Sequence, residues 1–173
     1  MGSVLTQRAA ERRQHGWRFQ LWAWLPVALA VGCIALESQP IFGADHTTGP
    51  LQRLVEWFTG PLTGAQWWHW HHAIRKCGHF IGYGTVSFTW FRAFWMTFRT
   101  ERNSGARKVS AHALAMAGTF LVASADEFHQ SFLPNRTGTP WDVLLDCCGA
   151  LVAQLIIFLI MLRFFRERSV TVR

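Results

Sequence analysis

From Asp126 to Asp146 the chain reads DEFHQSFLPNRTGTPWDVLLD, a polar stretch set between two long apolar runs. It carries four acids, a histidine, one glutamine, one asparagine and an arginine. Ionisable groups at the ends of apolar helices are costly, so they pair with one another or mark a functional site. A second polar run, Arg75-Lys76 to His79 and Tyr83, precedes another apolar segment. The two runs are expected to face each other in one site.

The apolar runs decide the solvent. Half of the 173 residues are apolar and only 16% are charged, against about 25% in a soluble domain. This deficit points to lipid and to a single all-α domain: a four-helix membrane bundle. Spans are expected over about 21–37, 74–98, 110–130 and 142–165, with basic tails at 1–20 and 166–173. A cleaved signal peptide is the rival reading of the first span. The long tail before it and Trp22, Trp24 and Pro26 favour a retained helix. Residues 38–71 form the longest connection. In it Leu51, Leu54, Val55 and Phe58 recur at helical spacing opposite Gln52, Arg53 and Glu56, predicting an amphipathic interfacial helix. Trp57, Trp67, Trp68 and Trp70 add an aromatic belt.

The net charge of +7 is distributed by topology. Of the Lys and Arg residues, 13 fall in the tails or around the 99–109 loop and four on the opposite side. The positive-inside bias places both termini in the cytoplasm, with the polar site facing outward. No nucleic-acid motif accompanies the positive charge, and nucleic acid is not an expected partner. The four cysteines lack C-x-x-C or zinc spacing and read as small apolar residues, although a bond from Cys77 to Cys147 or Cys148 is conceivable. His69, His71 and His72 alternate with tryptophan and read as interfacial rather than metal-binding.

Within the site, Lys76, His79 and Tyr83 stand at i, i+3 and i+7 on one helix face. Asp126 and Gln130, and Asp142 and Asp146, each stand at i, i+4. Glu127, Asp126 and His79 are the candidates for proton transfer. Lys76 and Arg136 are candidates for holding an anionic group, Arg136 through its planar fork. Tyr83, Gln130, Asp142 and Asp146 would complete the binding shell. No cofactor is expected. Asp126, Glu127, Asp142 and Asp146 could collect a divalent cation, but no established metal-loop spacing is present. The competing reading makes these groups inter-helix ion pairs, Lys76 with an acid or Arg136 with Asp142. Gly78-x-x-x-Gly82 has helix-packing spacing, which predicts close approach of another helix and a homodimer through that face.

Two segments resemble the VanZ-like family of small bacterial membrane proteins. RKCGHFIGY, Arg75 to Tyr83, is similar to its R/D-K-x-x-H-F-x-x-Y motif. SADEFHQSFLPNRTGTPWDVLLDCCGA, Ser124 to Ala150, is similar to its D-E-x-x-Q-x-F-x-P-x-R…D-x-x-x-D/N-x-x-G motif. Gly82 stands where many relatives carry Glu. The resemblance implies an envelope role, and the founding member is linked to low-level teicoplanin resistance. The expectation is therefore an outward pocket that binds, and in an enzymatic form modifies, an anionic or lipid-linked envelope precursor, with membrane lipids and glycopeptides as partners. A non-catalytic accessory protein is the alternative.

Overall fold

A computed structural model describes residues 2–42, 44–98, 104–134, 136 and 138–170, and the described residues contain helices and no strand. The five α-helices are α1 (Gly2–Glu37), α2 (Ala44–Thr59), α3 (Gly64–Thr97), α4 (Ser104–Gln130) and α5 (Pro140–Val170), with a 3₁₀ turn at Pro40–Phe42. Three segments are long and apolar enough to cross a membrane: Gly16–Glu37 in α1, Gly105–Gln130 in α4 and Pro140–Arg163 in α5.

Burial identifies the solvent of these helices. In α1 from Gly16 onward, Ala23, Val27 and Ile34 are the buried apolar side chains, while Leu21, Trp22, Leu25, Leu29 and Leu36 are all more than half exposed. In α5, Leu151, Leu155, Ile156, Leu159 and Leu162 are likewise exposed. A helix apolar on its outer face as well as its inner one is a membrane helix, because water would not tolerate that surface.

α3 differs. Its 34 residues extend about 51 Å at 1.5 Å per residue, well beyond a hydrocarbon core of about 30 Å. Its composition, however, keeps it out of the apolar set. Its position explains the difference, because α3 packs against α1, α4 and α5. Partner helices cover it, so it buries Tyr83, Ser87 and Thr89 instead of presenting leucine to lipid. It also begins about ten residues before the expected span. Thr63 and Gln66 form a reciprocal capping box, so the Trp/His segment expected as connection is the first two turns of α3. α2 forms where the amphipathic pattern predicts a helix, and it leaves Leu54, Trp57 and Phe58 exposed. The basic loop residues 99–103 lie outside the described residues.

Two local features fix the packing. Pro26 sits inside α1 and cannot donate to the carbonyl of Trp22 four residues earlier. The Arg92 guanidinium from α3 takes that carbonyl at 2.8 Å and the carbonyl of Ala23 at 3.1 Å. Nearby, Trp24 packs edge-on against Trp90 and Phe94 and donates to Thr97 at 3.2 Å. The α3–α5 crossing depends on Gly84 and Gly149. A Cβ on Gly149 would run into the Phe80 carbonyl, and one on Gly84 would lie 3.2 Å from the Gly149 carbonyl. Close approach therefore occurs at Gly84 rather than at Gly78 and Gly82. Gly78 has no neighbouring atom within 4 Å of an added Cβ, and Gly82 meets only the Ile34 side chain at 3.5 Å. All four cysteines are free.

Candidate functional site

At the α2 end of the bundle, the helical spacing of α3 is converted into three contacts with acids. Lys76 forms an ion pair with Asp142 in the first turn of α5. One turn further along, His79 Nδ1 lies 3.3 Å from Asp146 Oδ1. One turn beyond that, the Tyr83 hydroxyl donates to Asp126 Oδ2 of α4 at 2.8 Å. The i, i+3, i+7 face of α3 thus reads the i, i+4 acids of α5 and the terminal acid of α4. Gln130 donates to the same Asp126 oxygen at 3.0 Å. Tyr83 and Asp146 are wholly buried, and Asp126, Glu127 and Gln130 nearly so.

The connection from α4 to α5 is fastened to this cluster. The Thr139 amide donates to Glu127 Oε2 at 3.0 Å. Thr139 Oγ1 accepts from the Asp142 amide at 3.3 Å, so Thr139 caps α5 and Pro140 occupies its first position. Gly138 passes so close to Glu127 that any Cβ there would collide with the Glu127 carbonyl. Arg136 is not paired with Asp142. Its Nη2 donates to the carbonyls of Glu37 at 2.8 Å and Gln39 at 3.2 Å, satisfying backbone left open at the end of α1.

Above the cluster is a cavity of about 200 Å³. Lys76, His79, Glu127, Gln130, Arg136 and Asp142 line it, and so do Trp68, His71, His72 and Arg75. Of the last four, Arg75 belongs to the polar run expected at this site, whereas Trp68, His71 and His72 are lining residues that the sequence reading assigns to the interfacial segment. The signal that could have placed those three is the Thr63-x-x-Gln66 capping box, which starts α3 early enough to carry them on the helix that bears Lys76 and His79. His69 is exposed and does not line the cavity. Tyr83 and Asp126 lie beneath, around a smaller void shared with Ile34 and Ser38 of the α1 end. His129 turns away toward Ser38, with Nδ1 3.0 Å from its hydroxyl.

Charge in the cavity is uneven. Lys76 is neutralised by Asp142. Arg75 and Arg136 remain, and burial followed by the neighbouring Arg75 pulls the Arg136 guanidinium below its ordinary value. Arg75 and His72 also act with burial, which comes first, to lower His71. Cations that disfavour one another in a concave site favour an anionic ligand. Glu127 also lines a second, larger recess of about 540 Å³ between α4 and α5, walled by Phe120, Phe128, Val143, Leu144 and Cys147. A polar cavity and an apolar groove thus share one carboxylate. His79, held from behind by Asp146, can serve as a base toward the cavity. Alternatively, His79, Asp126 and Glu127 each offer a ligand atom, all within 4.8 Å of one another.

A polar network absent from the sequence-based expectations lies deeper in the bundle. Gln154 of α5 donates to the Ser87 carbonyl at 3.0 Å and its hydroxyl at 2.8 Å. His112 Nδ1 lies 2.6 Å from Gln154 Oε1. His112 is therefore inside the helix interface, against Phe91.

Compared with known proteins, the chain matches the VanZ/LLP1 family over residues 22–162. That match spans α1 from its apolar part through most of α5 and includes every residue of the site. No curated protein and no solved structure gives a match.

Proposed function

This chain belongs to the VanZ/LLP1 family, as a multi-pass membrane protein, and from that premise we propose that it binds an amphiphile whose anionic head enters the polar cavity and whose hydrocarbon part lies in the α4–α5 groove. The observation that carries this reading is Glu127, which lines both recesses. Arg75 and Arg136 supply the attraction for the head. Phe120, Phe128, Val143 and Leu144 supply an apolar wall open to lipid. A lipid-linked envelope precursor has this chemistry, and sequestering or altering such a molecule at the outer face would change susceptibility to glycopeptides such as teicoplanin.

The same proposal gives α3 a full crossing as the fourth span, both termini in the cytoplasm and the cavity on the outer side. Its length, its cover by α1, α4 and α5, and the distribution of Lys and Arg support this topology.

The test is native mass spectrometry of the full chain from mild detergent. Wild type should carry a discrete acidic lipid. Arg75→Ala should lose it, because Arg75 lines the cavity without an ion pair among the described residues. Ser124→Phe, which fills the groove, should lose it independently. Equal lipid occupancy in wild type and both variants would reject the reading.

A further inference from the structure

Three carboxylates, Asp126, Glu127 and Asp146, converge at the base of the cavity, each less than 10% exposed. Lys76, the nearest ammonium, is committed to Asp142. Tyr83, Gln130 and the Thr139 amide are neutral donors, and Arg136 acts on Asp126 and Glu127 through space while its guanidinium donates to the carbonyls of Glu37 and Gln39, so His79 is the group in the cluster itself that could bring positive charge. Buried carboxylates in such excess require compensation.

The hydrogen bonds have a further regularity. Asp126 is held by one oxygen, Oδ2, which accepts from both Tyr83 and Gln130. Glu127 is held by one oxygen, Oε2, which accepts from the Thr139 amide. His79 is approached at one nitrogen, Nδ1, by Asp146. The second donor atom of each of the three has no hydrogen-bond partner among the described residues. Asp146 is fully buried, meets His79 Nδ1 at an ion-pair distance of 3.3 Å, and has no hydrogen-bond partner among the described residues at either oxygen. This is how metal ligands are organised: one end fixed by an outer group, the other free for the ion, with a carboxylate behind the imidazole. One nitrogen or carboxylate oxygen from each of the three lies within 4.8 Å of those of the other two. Ligands about 2.1 Å from one ion lie at most ~4.2 Å apart, so small side-chain rotations close the set.

We propose that His79, Asp126 and Glu127 bind one divalent cation, with Asp146 orienting the imidazole. One nitrogen and two carboxylate oxygens suit a first-row ion of the Zn²⁺ or Mn²⁺ kind. The site lies directly under the cavity of the proposed lipid head, so the inference deepens that reading and rests on it for the cation's role. A cation there would meet an anionic oxygen entering between Arg75 and Arg136.

The experiment uses the full chain in nanodiscs, stripped with chelator, re-equilibrated with Zn²⁺ or Mn²⁺ alone, desalted and assayed for bound metal. Wild type should retain one equivalent, and its thermal midpoint should rise with the metal. Glu127→Gln, Asp126→Asn and His79→Ala should each lose the ion. Asp146→Asn should keep the stoichiometry and weaken affinity by about 10–100-fold. The double variant His69→Ala/His72→Ala should retain the ion. Monodisperse wild type without retained metal overturns the proposal. So does retention in folded Glu127→Gln, or loss in the His69→Ala/His72→Ala variant, which would place the ion on the other histidines. Glu127→Gln is isosteric and decides the matter if His79→Ala does not fold. Bound metal and not bound lipid is read in this assay, so a chain that holds lipid but no metal would leave the amphiphile site intact and reject the cation alone.

Discussion

At the scale of single residues, the buried polar contacts are specific enough for their costs to be predicted. Tyr83 is wholly buried and donates to Asp126 at 2.8 Å. Tyr83→Phe removes that donor without opening space and should lower stability by about 1.5–3 kcal/mol, the range for a hydrogen bond to a charged group. Thermal or denaturant unfolding in a fixed detergent measures it. Gln154 fixes its own orientation, because the Ser87 carbonyl can only accept. Gln154 Oε1 therefore faces His112, which must carry its proton on Nδ1 when neutral. Gln154→Leu should strand His112 and Ser87 and cost about 1–3 kcal/mol. It should also remove the Nδ1-protonated signature from the ¹⁵N spectrum of His112, whereas unchanged tautomer populations would show that Gln154 does not set the proton's position. Much of the candidate site was legible at this scale. The spacing of Lys76, His79 and Tyr83 anticipated a shared face, and Asp126, Glu127, Asp142 and Asp146 stood out as acids in an apolar chain. Their pairing was only partly legible: the competing ion-pair reading set Lys76 beside an acid, as it is, but set Arg136 beside Asp142, where Arg136 instead closes the end of α1.

At the scale of elements, the helices meet where backbone can touch backbone. Gly149→Ala would drive a methyl into the Phe80 carbonyl, which belongs to rigid helix backbone. It should separate α3 from α5, lower stability by about 1–3 kcal/mol and disturb Asp146, one turn before it. Gly78→Ala faces open space and should fall within about 0.5 kcal/mol of wild type. Equal effects of the two changes in unfolding experiments would mean that the α3–α5 crossing is not the tight contact described. A strong effect of Gly78→Ala on oligomeric size would instead support the expected dimer face. Glycine spacing alone did not separate these positions. Gly78 and Gly82 have the familiar four-residue interval, but which glycines are crowded depends on the rotation of α3 about its axis. Burial of Tyr83, Val86 and Ser87 sets that rotation.

At the scale of the whole molecule, a crossing α3 makes a prediction about which side of the membrane its flanking segments face. Arg53 on α2 and Gly105 at the start of α4 are both exposed and lie on either side of α3 in the chain. In a cysteine-free background, Arg53→Cys should react with an impermeant maleimide in intact cells. Gly105→Cys should react only after permeabilisation. Labelling of both from the same side would mean that α3 does not traverse the bilayer, and the fourth span would be withdrawn. The distinction matters for the site, because a crossing α3 puts Arg75 and Lys76 at the same membrane boundary as Asp142 and Arg136.

The sequence by itself determined an all-α membrane chain, the end of α4 at Gln130, the amphipathic α2 and the residues that crowd one polar site. These follow from local physics: periodicity, helix capping and the cost of charge in lipid act within a few residues. Tertiary structure decided which acid each α3 side chain meets, which glycines carry the crossing, and that Trp68, His71 and His72 line the cavity. It also decided that α3 could be less apolar than its neighbours. Those outcomes depend on which helix lies against which and at what rotation. Contacts between residues 40 to 100 positions apart fix that arrangement, and no local pattern encodes it.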